Sequence, residues 1–384
     1  MERASKRRRS GHTDERDASS GDASAPLTTL LLDGSAGIYT ARVIFAGVSR
    51  LVMLDTGSPL SWVPETVSDQ RLRTDGAQDG DCYADGQRFA GEYRYGSLAL
   101  AGQQSSIELE EAGMLLVTNQ PQGVLGLSRR LAPPWIAQGS CAESDTDSSE
   151  EHDADTCPVP YPGDLITQIL RCLPLPYISL HLDPAQAKAR CWSHPGPSRM
   201  VFGGLHARSA DNEGSESYVW ADATLTESEW MVELLIGFTS NAGTTELQPV
   251  RALVDTGASH FKVNSALAAS LSRHWGISLA PPDTDPATAN LPVNCPHPGL
   301  RLEGLGVRFL VGDAELTVAA SNLLFQEGDT VVCNRIAPSN RMSGATRSHW
   351  DANSDHDCVF GNAFLAGLEA VAFDYGRNRI GFLA

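Results

Sequence analysis

Residues 51–64 read LVMLDTGSPLSWVP, and this stretch decides the fold of the chain. It opens with a short continuous apolar run, Val52 to Leu54, which is typical of a strand buried on both faces. Asp55 follows where the strand turns, and Gly57 permits a turn conformation that a larger side chain would resist. A carboxylate in an apolar core takes up a proton unless it finds polar or charged partners. The stretch therefore predicts a buried Asp55 with such partners close by.

The same pattern occurs a second time at residues 252–263, which read ALVDTGASHFKV. A given tripeptide of this kind appears by chance in about one chain of this length in ten, so a single copy would indicate only a turn aspartate. Two copies, each closing a buried strand, indicate an internal duplication. The duplication predicts that Asp55 and Asp255 lie face to face.

Further landmarks repeat in the same order in both halves. Residues 122–128 read QGVLGLS and residues 358–364 read CVFGNAF, so an apolar pair followed by glycine comes after each Asp-Thr-Gly. We therefore predict a first lobe over residues 26–210 and a second lobe over residues 211–384.

Composition and charge restrict the classes of partner. The chain of 384 residues is long enough for two lobes with a sizeable core, and its 35 glycines suit a loop-rich β protein. The formal net charge of −18 argues against nucleic acid and against an anionic membrane surface as partners. No apolar run reaches the length of a transmembrane helix.

Two polar stretches are interpreted as solvated chain. Residues 1–25 are predicted to be a disordered tail, and they lack the apolar core of a signal peptide. The basic cluster Lys6–Arg9 within them is alternatively a dibasic processing site or a nuclear address. Residues 142–155, AESDTDSSEEHDAD, are interpreted as an acidic insertion loop of the first lobe.

Eight cysteines are spread along the chain without a Cys-X-X-Cys pair, so no zinc site is predicted. An even number of cysteines is compatible with disulfides and an oxidising compartment. Cys141 and Cys157 bracket the acidic run and are candidates to staple its base.

These motifs, in this order, resemble those of the pepsin-like aspartic endopeptidases over residues 26–384. Several ordered motifs make the match far more specific than either Asp-Thr-Gly alone. The stretches that carry it are LVMLDTGSPLSWVP at 51–64, EYRYGSLALAG at 92–102, QGVLGLS at 122–128, RMVFGGL at 199–205, RALVDTGASHFKV at 251–263 and CVFGNAFLAGLEAVAFDYGRNRIGFLA at 358–384.

The resemblance implies a mostly β, bilobed fold in which two related β lobes enclose a central substrate cleft. It implies that Asp55 and Asp255 are the catalytic dyad. It also implies that Tyr95 belongs to the flap, the hairpin that closes over substrate. The family pattern further assigns active-site support to Thr56, Gly57, Ser58, Thr256, Gly257 and Trp62, and the lining of the pocket before the scissile bond to Met53 and Val124.

Three specific contacts are implied by the same resemblance. Thr56 and Thr256 would interlock beneath the dyad. The Ser58 hydroxyl would donate to the outer oxygen of Asp55. Trp62 would hold the flap tyrosine by a hydrogen bond.

Peptide hydrolysis needs an activated water and a proton donor, and two carboxyl groups that share one proton supply both. The resemblance implies an endopeptidase that cuts polypeptides at hydrophobic residues, works as a monomer, and uses no metal or cofactor. The alternative is a catalytically silent binding or inhibitor protein on the same fold, although such relatives usually lack an active-site Asp or the flap. A retroviral-type homodimer is not expected, because one chain already carries both copies of the motif.

The chain departs from the family pattern after the second Asp-Thr-Gly. Ala258 stands where the family usually carries a hydroxyl residue. We expect Asp255 to lose one hydrogen-bond donor there, and the activity optimum to lie at a higher pH.

Cysteine pairing and location are also suggested by the resemblance. Cys295 and Cys333 match a disulfide of the family. Candidate additions are the pairs Cys172–Cys191 and Cys141–Cys157, with Cys82 left unassigned and Cys358 interpretable as a small buried hydrophobe. The resemblance implies a secreted or vacuolar protein, although no signal peptide is visible in this sequence.

Overall fold

A computed structural model describes the chain over residues 27–35, 38–82, 88–118, 120–128, 165–184, 195–205, 218–226, 229–279, 296–327, 330–332, 336–338 and 356–384. Several sequence predictions fall outside these ranges. They are the tail at 1–25, the acidic run at 142–155, the lobe boundary at 210–211, and the cysteines Cys141, Cys157, Cys191, Cys295 and Cys333.

Strands dominate the described residues. In the first half they are β1 Thr28–Ser35, β2 Ile38–Phe45, β3 Val48–Asp55, β4 Trp62–Pro64, β5 Gln78–Cys82, β6 Arg88–Ala101, β7 Ser106–Val117, β8 Gly123–Gly126, β9 Tyr177–His181 and β10 Pro195–Phe202. In the second half they are β11 Val219–Thr226, β12 Glu229–Ser240, β13 Gly243–Thr244, β14 Gln248–Val254, β15 Phe261–Val263, β16 Pro296–Pro298, β17 Gly306–Val311, β18 Ala314–Ala319, β19 Phe325–Glu327, β20 Thr330–Val332, β21 Ile336–Pro338, β22 Cys358–Phe360, β23 Ala370–Asp374 and β24 Arg379–Leu383. The helices are α1 Leu165–Arg171, α2 Ser265–Trp275, α3 Ala320–Leu323 and α4 Asn362–Leu365, with a 3-10 turn at Val67–Arg71.

One antiparallel sheet joins the two halves of the chain. Its strand order is β1–β10–β9–β23–β24–β11, so three strands come from each half. The two halves meet where β9 pairs with β23, with Leu180 opposite Val371. Every residue of β23 is buried, as expected for a strand that is covered on both faces.

Each half repeats the same strand arrangement around its Asp-Thr-Gly turn. In the first half, β3 pairs in parallel with β8, β8 pairs antiparallel with β4, and β4 pairs in parallel with β7. In the second half, β14, β22, β15 and β21 make the same three pairings in the same order. The two related β lobes predicted from the sequence are therefore confirmed.

Helix α2 follows the second turn and has clear local signals. The Asn264 side chain accepts the Leu267 N–H at 2.9 Å and so caps the first turn of the helix. Gly276 ends the helix in the left-handed region, with a φ of 67°. Leu267, Leu271 and Trp275 are four residues apart along the helix and are all buried. These local signals account for the position and length of the helix.

Aromatic side chains fill the core behind the second turn. Phe360 stacks on Phe364 with ring centroids 3.9 Å apart, and Phe309 meets both rings at 5.8 and 5.6 Å. This packing fixes β22, which lies against the strand that leads to Asp255.

Among the described residues, no helix has the length and apolar character needed to cross a membrane.

Candidate active site

The two Asp-Thr-Gly turns face each other between the lobes. Asp55 ends β3, and Asp255 directly follows β14. A Cβ atom added to Gly57 would lie 2.8 Å from Oδ1 of Asp255, and one added to Gly257 would lie 2.5 Å from Oδ1 of Asp55. Each carboxylate therefore lies against the glycine of the opposite turn, where only a residue without a side chain leaves room.

Backbone N–H groups orient both carboxylates in the same way. The Gly57 N–H donates to Oδ1 of Asp55 at 2.9 Å, and the Gly257 N–H donates to Oδ1 of Asp255 at 2.8 Å. Hydrogen bonds from backbone N–H groups favour the charged form of a carboxyl group. The matching bonds give the pair an approximate two-fold symmetry.

Thr56 and Thr256 tie the two turns together. The Thr56 hydroxyl donates to the Val254 carbonyl at 2.9 Å and accepts the Thr256 N–H at 3.0 Å. The Thr256 hydroxyl donates to the Leu54 carbonyl at 3.0 Å and accepts the Thr56 N–H at 3.0 Å. All four bonds are buried, so breaking one would leave polar groups away from water.

Burial and a neighbouring charge change the acidity of Asp55. This residue is 6% exposed, and its loss of solvation is the main reason that its pKa lies well above the ordinary value. The charge of Asp255 and a hydrogen bond between the two carboxyl groups raise the pKa further, and the N–H groups of Gly57 and Ser58 oppose the rise. A raised pKa keeps Asp55 protonated where a free aspartate is ionised. The pair can therefore hold one proton between its two carboxyl groups.

A second strand supports each turn from behind. The Leu127 N–H donates to the Asp55 carbonyl at 2.8 Å, and the Asp255 N–H donates to the Phe360 carbonyl at 3.2 Å. A Cβ atom on Gly126 would lie 2.6 Å from the carbonyl oxygen of Leu60, which follows the first turn. The glycine after each apolar pair is thus required by the close approach of two backbones.

Comparisons with known proteins identify the family and the fold of the chain. The model of the eukaryotic aspartyl protease family matches residues 189–384, just over half of the chain, and this region includes Asp255. The chain belongs to the eukaryotic aspartyl protease family. The crystal structure of an aspartic proteinase from Irpex lacteus is similar with a TM-score of 0.65 at 14% sequence identity, over 94% of this chain and 97% of that one. This likeness spans both lobes and confirms the pepsin-like bilobed fold. No curated protein sequence matches the chain.

The second turn has a brace that the sequence did not reveal. The Asn362 side-chain amide donates to the Thr256 carbonyl at 2.7 Å, and the Asn362 N–H donates to the Ala258 carbonyl at 2.7 Å. Both bonds hold the backbone on either side of Gly257. The available signal was weak, since a single asparagine after a glycine is also typical of an exposed turn.

The resemblance implied that the Ser58 hydroxyl donates to Asp55, but the structure shows a different acceptor. It donates to the Leu60 carbonyl at 3.3 Å and accepts the Leu60 N–H at 3.2 Å, so its single proton is used within the turn. The backbone N–H of Ser58 acts on Asp55 instead. At the matching position of the second lobe, Ala258 is buried in a small apolar cluster. The higher pH optimum was expected because Ala258 cannot donate a hydrogen bond to Asp255. The first lobe shows no equivalent side-chain bond from Ser58 to Asp55, so this reason for a higher optimum is removed.

The proposed pocket residues lie in one apolar cluster of the first lobe, close to Asp55. Met53 and Val124 are directly opposite each other in the pairing of β3 with β8. The Trp62 ring packs on Phe89 with centroids 5.4 Å apart. The buried members of the cluster are Leu60, Trp62, Phe89, Tyr93, Leu115, Val117 and Val124, with Met53, Ala77 and Tyr95 packed against it.

The resemblance assigned Tyr95 to the flap hairpin, and the structure places it inside β6, away from both ends of the strand. The hairpin of β6 and β7 exists, but its turn packs on β1, where the Gln103 N–H donates to the Thr29 carbonyl at 2.9 Å. Tyr95 lies inside β6, between β7 on one edge and a bridge to Arg73 on the other. A residue paired on both edges is held in the sheet and cannot close as a lid. At its other end β6 pairs with β5, and their connection at residues 83–87 lies outside the described ranges.

The side chain of Tyr95 is fixed as well. Its hydroxyl donates to Asp75 at 2.6 Å, and the Arg73 guanidinium lies over its ring at 4.2 Å from the centroid. The bond from Tyr95 is the main reason that the pKa of Asp75 is lowered. The Tyr95 side chain is therefore held in one position at the margin of the apolar cluster around Trp62.

Cys172 and Cys358 are free thiols. Cys172 is exposed, and its candidate partner Cys191 lies outside the described residues. Cys358 is buried in β22, and burial raises the pKa of its thiol. The interpretation of Cys358 as a small buried hydrophobe is confirmed, and the pairs Cys295–Cys333 and Cys141–Cys157 stay predictions.

Proposed function

We propose that the protein is an active aspartic endopeptidase, with Asp55 and Asp255 as its catalytic residues. The observation that carries the proposal is the placement of two carboxyl groups, one from each lobe, each lying against the glycine of the opposite turn. Two adjacent negative charges repel each other, so the pair favours a state with one shared proton. Family membership and fold support a peptidase, and both carboxylates stand on one chain, which supports activity as a monomer.

The shared proton gives each carboxyl group a separate task. The ionised carboxylate takes a proton from a water between the pair, and that water attacks the peptide carbonyl carbon. The protonated partner gives its proton to the carbonyl oxygen. When the tetrahedral intermediate breaks down, the carboxyl group that took the proton from water gives it to the nitrogen, and the C–N bond breaks. A hydroxyl of the intermediate gives its proton to the other carboxylate as the new carboxyl product forms, so the pair again holds one proton. The interlock of Thr56 with Thr256 keeps the two carboxyl groups at a working separation.

The apolar cluster beside the first turn supports a preference for hydrophobic residues around the scissile bond. Met53 is partly exposed and lies two residues before Asp55, so it borders the space in front of the dyad. Val124 and Trp62 lie behind it in the same cluster. An apolar substrate side chain that covers this surface gains roughly 25 cal/mol per Å² of apolar area removed from water.

Turnover of a denatured protein at acidic pH tests the proposal. Asp55→Asn and Asp255→Asn each remove one titrating oxygen with little change of shape. Because general acid–base groups contribute about 10²- to 10⁴-fold, we expect each variant to lose at least that factor in kcat. Asp313→Asn is the matched control, since Asp313 is exposed in the turn between β17 and β18.

A statine-type transition-state mimic separates the two classes of protein. An active endopeptidase is inhibited by the mimic, and wild type and Asp313→Asn behave alike. Binding of the mimic without any turnover by the wild type would instead identify a catalytically silent binding protein. Turnover that survives in both dyad variants would overturn the assignment of Asp55 and Asp255.

A further inference from the structure

Two aromatic side chains of the second half donate to one carbonyl group of the first half. Trp230 donates to the Leu127 carbonyl through Nε1 at 3.3 Å, and Tyr375 donates to the same oxygen through its hydroxyl. Trp230 is 2% exposed and Tyr375 is 1% exposed. A buried carbonyl with two donors from distant parts of the chain is a strongly defined contact.

Leu127 is also bonded to the first catalytic turn. Its N–H donates to the Asp55 carbonyl at 2.8 Å, and the preceding residue, Gly126, is opposite Asp55 in the pairing of β3 with β8. A continuous path of hydrogen bonds therefore runs from Trp230 and Tyr375 through Leu127 to the backbone of Asp55.

The two donors are held in place by their own packing. Trp230 meets Tyr375 edge to face, with centroids 4.9 Å apart and an interplanar angle of 87°. Trp230 also meets Phe373 at 5.1 Å and 62°. The Tyr375 N–H donates to the Pro176 carbonyl at 2.9 Å. Such packing leaves neither donor free to rotate away from Leu127.

The strand that carries Trp230 leads back to the second carboxylate. β12 pairs with β14, with Met231 opposite Leu253, and β14 ends next to Asp255. A shift of the second turn relative to Leu127 would therefore strain the bond from Trp230. The second turn has a further brace within its own lobe, because the Asn362 side chain donates to the Thr256 carbonyl.

We propose that Trp230 and Tyr375 are positioning residues that set the placement of Asp55 relative to Asp255. The inference rests on the proposed function, and it assigns these residues no contact with substrate. They act through Leu127, so their loss lowers the rate of the chemical step and leaves substrate binding unchanged.

Tyr375→Phe tests the inference, because it removes one hydroxyl and keeps the ring. Tyr39→Phe is the matched control, since the Tyr39 hydroxyl is also buried and donates to a backbone carbonyl, that of Asp183, at 2.9 Å. Both variants lose one hydrogen bond made by a buried tyrosine ring and should lower the urea midpoint of unfolding similarly. Only Tyr375→Phe should lower kcat, by about fivefold to tenfold, with KM unchanged.

The pH–rate profile supplies a readout that a purely structural role would not move. A looser dyad weakens the effect of Asp255 on Asp55, so the alkaline limb should move to lower pH in Tyr375→Phe and stay fixed in Tyr39→Phe. Equal kcat and equal profiles in the two variants would overturn the inference and leave the proposed function standing, because the wild type still turns over.

A second readout applies if the wild type proves inactive and the proposed function fails. The pH dependence of the unfolding midpoint follows the titration of Asp55 without any substrate. Tyr375→Phe should shift that dependence along the pH axis relative to wild type and Tyr39→Phe. Three superimposable curves would overturn the inference.

Discussion

Removal of one threonine hydroxyl from the interlock should weaken the whole molecule. Thr256→Val is nearly isosteric and takes away one donor and one acceptor. The Leu54 carbonyl and the Thr56 N–H each lose a bond of 3.0 Å in a buried place. Each buried polar group that loses its partner costs about 1–3 kcal/mol, so the free energy of unfolding should fall by about 2–6 kcal/mol. The reciprocal variant Thr56→Val breaks the matching pair of bonds and should give a similar loss.

Equilibrium unfolding in urea measures this loss, with two controls. Thr256→Ser keeps the hydroxyl and should recover most of the stability. Thr239→Val removes a single partly buried bond of 3.1 Å to the Gly306 carbonyl, so it should lose only about 1 kcal/mol. The catalytic rate should fall in Thr256→Val and not in Thr239→Val. If Thr256→Val lost no more stability than Thr239→Val, the reciprocal bonds would not be what ties the two turns together.

Three further outcomes are expected. Gly257→Ala adds a Cβ atom 2.5 Å from Oδ1 of Asp55, so it should displace that carboxylate and lower kcat by about 10²-fold, as steady-state kinetics on the purified variant will test. The raised pKa of Asp55 contributes stability below the pKa of an unfolded aspartate, and this is lost as the pH rises through the folded value. Asp55→Asn removes that loss, so its stability relative to wild type should increase with pH in urea titrations. Parallel curves would contradict this. Asp69→Asn leaves the buried Arg50 guanidinium without the carboxylate whose two oxygens lie at 2.6 and 2.7 Å from its Nη2. The free energy of unfolding should therefore fall by about 3–5 kcal/mol. An unchanged melting temperature would refute the importance of this ion pair.

The sequence alone was sufficient to predict strands, turns and the two lobes, because these features have local signals that occur twice in the chain. An apolar run before Asp-Thr-Gly predicts a buried strand that ends in a turn, and two copies predict two related lobes. The structure contains both strands, β3 and β14, with the same neighbours on either side. The cap at Asn264 and the glycine at position 276 likewise fixed the ends of a helix through contacts within a few residues.

Only the tertiary structure decided which polar groups meet. Tyr95 lies in an alternating segment that predicts a hairpin strand, but the sequence does not show which end of the hairpin is free. In the structure the β6–β7 turn packs on β1, so this end of the hairpin is held in place. The Ser58 hydroxyl has donor and acceptor groups within its own turn, and sequence alone could not tell which one it takes. Trp230 and Tyr375 look like ordinary core residues along the chain, yet they share one acceptor more than a hundred positions from either of them. Strand periodicity is set by neighbours in sequence, whereas the partner of a buried donor is set by packing between distant segments.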